Sequence, residues 1–462
     1  MFKSMDILSR QGALSSHAWV SRIRAAVQPA DDGIILLEKN GPLEVQDMFG
    51  VLKIKGYRLL WSTQLLSNLG DAIRNWAILF WVFHASSQSP LMQSMVLLAE
   101  YMPALLIGPF AGIWVDRYAF KKVLLASTLL RALLSLAAIP FIISGQIGMV
   151  LGLIAISSVV QQFFQPAVSK GLVNLVPKDS LMAANSLSRT TQTSLTLAGP
   201  ILGALIYQVL GAELSFTVDG ILFLAGACLL LVMAVPNSRP AMQNSTFTPA
   251  VFWKEFTEGI RFGWQNSIVQ AIFSLLCIMS LGIGAINLLN IFLVVNEIGL
   301  PEQYVAWGNS VQGAGMLIGA LIAGSVSKKL KAYHWLTVWS VGIMVIGIIV
   351  LAFSWNEYIM FASRLLIGLG VTLLNISITT LFQLEVPEKL IGRVGSVLET
   401  APLLAMLISL SLSGYLQTLI STRYIFLGSA LILFAAGIAA LFQLGCIRTM
   451  KYKEKSRQSS GF

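Results

Sequence analysis

Residues 112–122 read Gly112-Ile-Trp-Val-Asp116-Arg117-Tyr-Ala-Phe-Lys121-Lys122, a burst of charge between two apolar runs. The pattern recurs outward in both directions. From about Tyr57 to Cys446 the chain is a series of apolar runs joined by short polar segments, and every second joint is basic. The basic joints carry Arg117, Lys121 and Lys122; Lys170 and Lys178; Arg239, Lys254 and Arg261; Lys328, Lys329 and Lys331; and Lys389 and Arg393. The joints between them are residues 84–90, 144–148, 211–213, 296–304, 355–357 and 421–423, and only the last holds Lys or Arg, namely Arg423. A helix rises about 1.5 Å per residue, so about 20 apolar residues cross the roughly 30 Å hydrocarbon layer. Cytoplasmic loops retain Lys and Arg, so the alternation predicts an all-α polytopic membrane protein with both termini cytoplasmic.

Composition agrees: hydrophobic residues make up 56% and charged residues only 11% of the chain, well under half of what a soluble domain carries. The net charge of +10 is assigned to inner joints and to the tail Arg448, Lys451, Lys453, Lys455 and Arg457 lying against anionic lipid, not to nucleic acid. Cys228, Cys277 and Cys446 all fall in apolar runs with no metal or disulfide spacing. There is no Gly-rich phosphate loop, Walker-type Lys, His-Glu-x-x-His or nucleophile elbow, so neither an enzyme nor a cofactor is expected. The expected partners are a small-molecule substrate, protons and membrane lipids, with the chain acting as a monomer.

The runs number twelve, at about 58–83, 91–114, 122–143, 147–169, 182–208, 213–235, 267–295, 304–326, 334–354, 357–384, 391–419 and 423–446. The polar interval 236–266 divides them into halves at 48–235 and 267–447, with a basic tail at 448–462. The polar residues 1–47 are either a cytoplasmic extension or precede a true start at Met48; they lack the apolar core of a signal peptide. The halves repeat. Leu175-Val-Pro177-Lys-Asp-Ser-Leu181 and Glu385-Val-Pro387-Glu-Lys-Leu-Ile391 follow spans 4 and 10, about 210 residues apart. Matching spans cross in one direction, so the repeat is parallel, about an axis along the membrane normal.

Six plus six spans about a cytoplasmic loop resemble the major facilitator superfamily. Gly112 to Lys122 is similar to its G-x-x-x-D-R-x-x-x-[RK]-[RK] signature, with the Gly expected after Asp-Arg replaced or shifted. Gly324-Ser-Val-Ser-Lys328-Lys329 is the counterpart in the second half and lacks the acid. Gly199-Pro200-Ile-Leu-Gly203 resembles the antiporter motif of drug exporters, although Leu195 stands where a Gly is expected. Arg364-Leu-Leu-Ile-Gly368-Leu-Gly370 resembles a signature more usual in span 4. Phe252 to Phe262 resembles the loop helix of macrolide-efflux proteins and enterobactin-type siderophore exporters. The resemblance implies that Asp116 latches the cytoplasmic gate at the start of span 11, with Gly112 and Arg117 in the same joint. It also implies that Gly199, Pro200 and Gly203 shape span 5 for export.

Charge at mid-membrane depth costs at least about 2.5–3.5 kcal/mol, so its presence suggests function. Asp71, Arg74, Glu100 and Arg131 fall at mid-span in three neighbouring runs and form a candidate proton-coupling cluster. A carboxyl whose Arg contact exists in only one conformation changes its proton affinity between inward and outward states. The alternative is a static ion-pair network, with Asp71 and Arg74 satisfying each other at i,i+3. Glu100 has no basic residue within one turn of its own run, which makes it the expected proton carrier unless Arg131 reaches it. Arg189 and Glu399 occupy equivalent repeat positions and either pair across the halves or sit at the headgroups. Asp219, Glu297 and Glu385 are expected to be solvated near span ends, and His84 and His334 have no assigned role. Asn287, Asn290, Gln312 and Asn375 are candidates to line a substrate cavity, because an amide facing lipid is unsatisfied.

The alternation predicts topology. Reporter fusions after residues 120, 245 and 330 should report the cytoplasm, and fusions after 87 and 300 the outside. One reversed result breaks the twelve-span arrangement, because each crossing inverts all later ones.

Overall fold

The computed structural model describes residues 49–234, 257–258, 260–327, 333–387 and 390–439. Residues 1–47, most of the 236–266 interval and the tail 448–462 lie outside the described residues.

Each apolar run becomes a helix. They are α1 Lys55–Ala85, α2 Pro90–Arg117, α3 Phe120–Ile143 and α4 Ile147–Leu175. One continuous segment, Leu181–Val232, follows, turning at Gly211, whose φ of 75° lies in the left-handed region that glycine adopts readily. Its limbs, 181–210 and 212–232, are α5 and α6. Then come α7 Ser267–Phe292, extended by a π-turn to Glu297, α8 Gln303–Ser327, α9 Tyr333–Ala352, α10 Glu357–Glu385, α11 Ile391–Leu416 and α12 Thr422–Ala439. The limits differ from the sequence expectation by a few residues, and the joint expected at 211–213 is no loop at all.

The helix ends follow ordinary chemistry. Asn266 Oδ1 accepts from Ile268 N and Val269 N, and Asn356 Oδ1 accepts from Ile359 N. Two of the basic joint residues also hold helix ends. Lys170 Nζ donates to the carbonyls of Val115, Asp116 and Tyr118 at the end of α2, and Lys121 Nζ donates to those of Leu231 and Met233 at the end of α6. Among the described residues, ten helical segments have the length and apolar composition to cross a membrane; α1, with Asp71 and Arg74 in its middle, is not among them. Large apolar side chains such as Leu133, Val209, Leu231, Trp339 and Leu431 stand exposed on the bundle surface, as a lipid-facing surface requires.

The repeat is present in three dimensions. In the first half α1 packs on the α5–α6 segment, α2 on α4 and α3 on α4; in the second α7 packs on α11, α8 on α10 and α9 on α10. The halves meet through α2 with α11 and α8 with the α5–α6 segment, two contacts that exchange under the same repeat.

The second half is drawn tight by small residues. Gly368 and Gly370 put α10 between two neighbours. A methyl at Gly368 would collide with the Gln312 carbonyl of α8, and one at Gly370 would sit 2.5 Å from Met344 Cγ and 3.0 Å from the Ser340 carbonyl of α9. That is the physical content of the Arg364–Gly370 motif. Gly112 is the opposite case, with nothing within 4 Å of an added methyl. Gly368→Ala should therefore lower stability by about 1–3 kcal/mol, read as an earlier melting transition of the purified protein in detergent. Gly112→Ala should leave that transition in place.

Candidate functional site

The first half encloses a charge cluster built on α1. Asp71 and Arg74 are 8% and 4% exposed, on the side of α1 turned to α4 and α6. Arg74 Nη2 lies 2.8 Å from Asp71 Oδ1, and Arg131 of α3 pairs with the same oxygen. Gln161 Nε2 of α4 donates to Asp71 Oδ2 at 3.5 Å. Arg74 also donates to Ser157 Oγ at 3.3 Å and Asn75 Oδ1 at 3.1 Å, and the Arg131 guanidinium lies 4.3 Å above the Phe223 ring of α6. Asp71 thus bridges two guanidinium groups, which offsets part of the cost of burying them.

Arg131 reaches Asp71 and not Glu100. Glu100 is half-buried and lies within electrostatic range of Arg74 and Asp71, but makes no direct ion pair or hydrogen bond among the described residues. Of the four expected members, three are joined directly and Glu100 stands apart.

A fifth member was missed. Asp219, expected to be solvated, is 0% exposed and lies 3.9 Å from Arg74 Nη1, with neither carboxylate oxygen in a close hydrogen bond among the described residues. The reason is the tight turn at Gly211: with no loop between α5 and α6, residue 219 lies two turns inside the bundle. Gly70 makes the approach possible, since a methyl there would sit 2.5 Å from Asp219 Oδ1. A lone acid in the otherwise uncharged run 214–232 was the available signal.

The gating candidates separate. Gly199 and Gly203 let α5 close on α1: added methyls would meet Ala72 Cβ at 3.1 Å and Trp76 Cβ at 2.9 Å. They flank the helix face next to Asp71 and Arg74. The backbone stays helical through Pro200. Asp116 and Arg117 are exposed at the basic end, and neither side chain has a partner among the described residues. Arg189 and Glu399 are both exposed and form no ion pair with each other. At the same end Arg393 Nη1, in α11, lies 2.5 Å from Glu258 Oε2.

Of the amides, Asn287 and Asn375 are exposed, Asn290 is 3% exposed with Oδ1 unpartnered, and Gln312 accepts from Arg364 Nη1 at 2.9 Å.

The opposite end of the bundle, poor in basic residues, carries contacts between the halves. Phe83 of α1 meets Phe292 of α7 edge-on at 5.4 Å, and His84 Nε2 lies 2.7 Å from Glu302 Oε2 just before α8. An added methyl at Gly414 of α11 would lie 3.0 Å from Ser94 of α2. Glu297, expected to be solvated, instead accepts from Ser421 Oγ and Thr422 N and pairs with Arg423 at 2.9 Å. It caps the start of α12. No sequence pattern links these residues, which lie more than 100 positions apart.

Twelve helices in two repeated sets of six, meeting through reciprocal pairs, have the architecture of the major facilitator superfamily of transporters. The chain belongs to the transmembrane secretion effector family of that superfamily, which matches residues 47–459. It is 24% identical over 409 residues to the uncharacterized MFS-type transporter YfiS of Bacillus subtilis, covering 86% of this chain and 95% of the relative. It is 25% identical over 393 residues to macrolide efflux protein A of Streptococcus pyogenes, covering 84% and 95%. Over 328 residues it is 27% identical to the lysophospholipid transporter LplT of Klebsiella pneumoniae, covering 69% and 77%. Among solved structures it superposes on the nucleoside transporter NupG (D323A mutant) with a TM-score of 0.68 at 14% identity, covering 83% and 99%.

The His84–Glu302 contact gives a pH dependence with a definite sign. Burial pushes the Glu302 carboxyl above its usual range, and His84 beside it only partly offsets this. Closure at this end therefore binds a proton more tightly than an open, solvated Glu302 does. The closed form should be favoured at acid pH and lose ground as pH rises through the raised value. Spin labels at Ala85 and Asn296 should move apart on that rise, and Glu302→Gln should flatten the response. A wild-type distance independent of pH contradicts this.

Proposed function

We propose that the chain is a proton-coupled exporter of amphipathic small molecules, drug-like, macrolide-like or siderophore-like, working by alternating access. The observation that carries this reading is the inequality inside the charge cluster. Asp71 is held by two guanidinium groups, while Glu100 has no direct partner within reach of the same charges. A carboxyl locked between two cations cannot exchange its proton cheaply. One lying close by, free of a fixed pair, can gain or lose a proton whenever Arg74 shifts. Asp219, at the far side of Arg74, is positioned to take over that guanidinium when Asp71 releases it. Macrolide efflux protein A, among the relatives, supports export as the direction. By the distribution of basic residues, the basic end faces the cytoplasm, with both termini, in the bacterial cytoplasmic membrane. A second reading, a lipid or lysolipid flippase, is favoured by the relative LplT.

Purified protein in liposomes should concentrate substrate under an imposed pH gradient without ATP, and stop when the gradient is collapsed. Glu100→Gln should abolish this gradient-driven accumulation but leave equilibrium exchange of substrate largely intact. Asp71→Asn should damage both, because it leaves Arg74 and Arg131 without their shared carboxylate, a loss of about 3–5 kcal/mol when a buried pair is broken. Accumulation that survives in Glu100→Gln would make Glu100 structural.

A further inference from the structure

The second half holds a buried cation that the cluster around Asp71 does not touch. Arg364 is 2% exposed and lies seven residues into α10 from the end poor in basic residues, a depth of about 10 Å. Its Nη1 donates to Gln312 Oε1 at 2.9 Å, while Nε and Nη2 are buried with no partner among the described residues. Arg74 and Arg131 are each paired with Asp71; Arg364 has no carboxylate partner among the described residues. A guanidinium presents its donors as a planar fork matched to a carboxylate or phosphate. Burying such a fork with most of its donors idle is costly, and a packing role alone would be filled better by an apolar side chain.

The surroundings of Arg364 also point to a ligand. Gly308 of α8 runs beside it without a side chain: an added methyl would lie 3.6 Å from Cγ and 3.9 Å from Nε. Gln312, one turn further along the same face, is half-buried and holds the guanidinium through its Oε1. One turn toward the end of the bundle Tyr304 stacks on Phe361 with ring centroids 6.0 Å apart and meets Trp307 at 4.7 Å. An apolar, aromatic wall thus adjoins a single unsatisfied cation.

We propose that Arg364 and Gln312 bind an oxyanion of the transported molecule, so that the substrate class is an amphiphile bearing a carboxylate or phosphate whose apolar body lies against Tyr304, Trp307 and Phe361. This rests on the transporter reading above and narrows it. Nε and Nη2 are closed off in this conformation, so the acid reaches them when α8 and α10 part near Gly308. The chain then carries a proton-handling cluster in one half and an anion-recognising cation in the other.

The test is equilibrium binding to the full chain in nanodiscs, followed by tryptophan fluorescence, with three probes of one chain length: laurate, lauroyl lysophosphatidate and neutral monolauroylglycerol. Laurate and lysophosphatidate should bind saturably and monolauroylglycerol weakly. Laurate binding alone assigns the site to carboxylates, and lysophosphatidate binding alone to phosphate headgroups. Arg364→Met should weaken anion binding by about tenfold or more, Arg364→Lys should retain part of it, and Gln312→Ala should give an intermediate loss. Arg364→Met should also melt at the same temperature as the parent or higher, because it removes an unpaired buried charge; a lowered melting temperature with unchanged anion binding would make Arg364 structural and overturn the proposal. Equal affinity for the neutral probe, or binding unchanged in Arg364→Met, overturns it as well. The assay uses no gradient, so failure here is distinct from failure of proton coupling.

Discussion

The pairing of Asp71 with Arg131 and Arg74 is the constraint on which the first half depends. An isolated guanidinium in the middle of a helical bundle within a bilayer is expensive, and this half buries two. Because one carboxylate serves both, α1 cannot slide relative to α3 without separating a charge pair in a medium of low dielectric. The Gln161 and Ser157 contacts extend the same restraint to α4, and Asp219 extends it to α6. Gly199 and Gly203 bring α5 against α1 immediately beside these charges. A shift of α5, the helix that meets α8 of the other half, is therefore passed directly to the charged face of α1.

The two halves solve the same packing problem by different means. The first binds its helices through charge, the second through close backbone approach at Gly315, Gly368 and Gly370. Charge pairs can be exchanged by moving a proton or a side-chain torsion, whereas the backbone contacts at Gly315, Gly368 and Gly370 change only if the helices themselves shift.

The fold was legible because its signal is long and redundant. Each run of about 20 apolar residues is hard to satisfy except as a spanning helix, and the basic alternation repeats at five joints. Asp71, Arg74 and Arg131 were legible for a related reason: charges in mid-run stand out against oil. Asp219 was not, because its depth depends on whether α5 and α6 are joined by a loop or by Gly211 alone, and that is a backbone property of one residue. His84 with Glu302, and Glu297 with Arg423, were out of reach for sequence because charges at helix ends are ordinary there. Only the meeting of distant ends gives them partners. Lys170 and Lys121, expected in joints, lie inside α4 and in the first turn of α3, and their hydrogen bonds to neighbouring helix ends are a structural role that charge counting cannot show.

The asymmetry of buried charge bears on how the halves communicate. In the first half the guanidinium groups are matched by carboxylates, so a proton taken up there leaves a cation partly uncompensated. In the second half the cation is uncompensated at the outset. Both states are high in energy in a dry interior, and under the two proposals above each is relieved by a different species, a departing proton in one case and an arriving anion in the other. The helices that carry them, α1 and α10, do not need to touch. α1 packs on α5, α5 packs on α8, and α8 packs on α10, so relief of one site changes the packing on which the other depends. The contact at the end poor in basic residues, where Glu302 precedes α8, lies on that same route. A closed end there and a filled Arg364 site are thus two demands on the first turns of one helix. Opening that end would move α8, which carries Gln312, the second ligand of the proposed anion site.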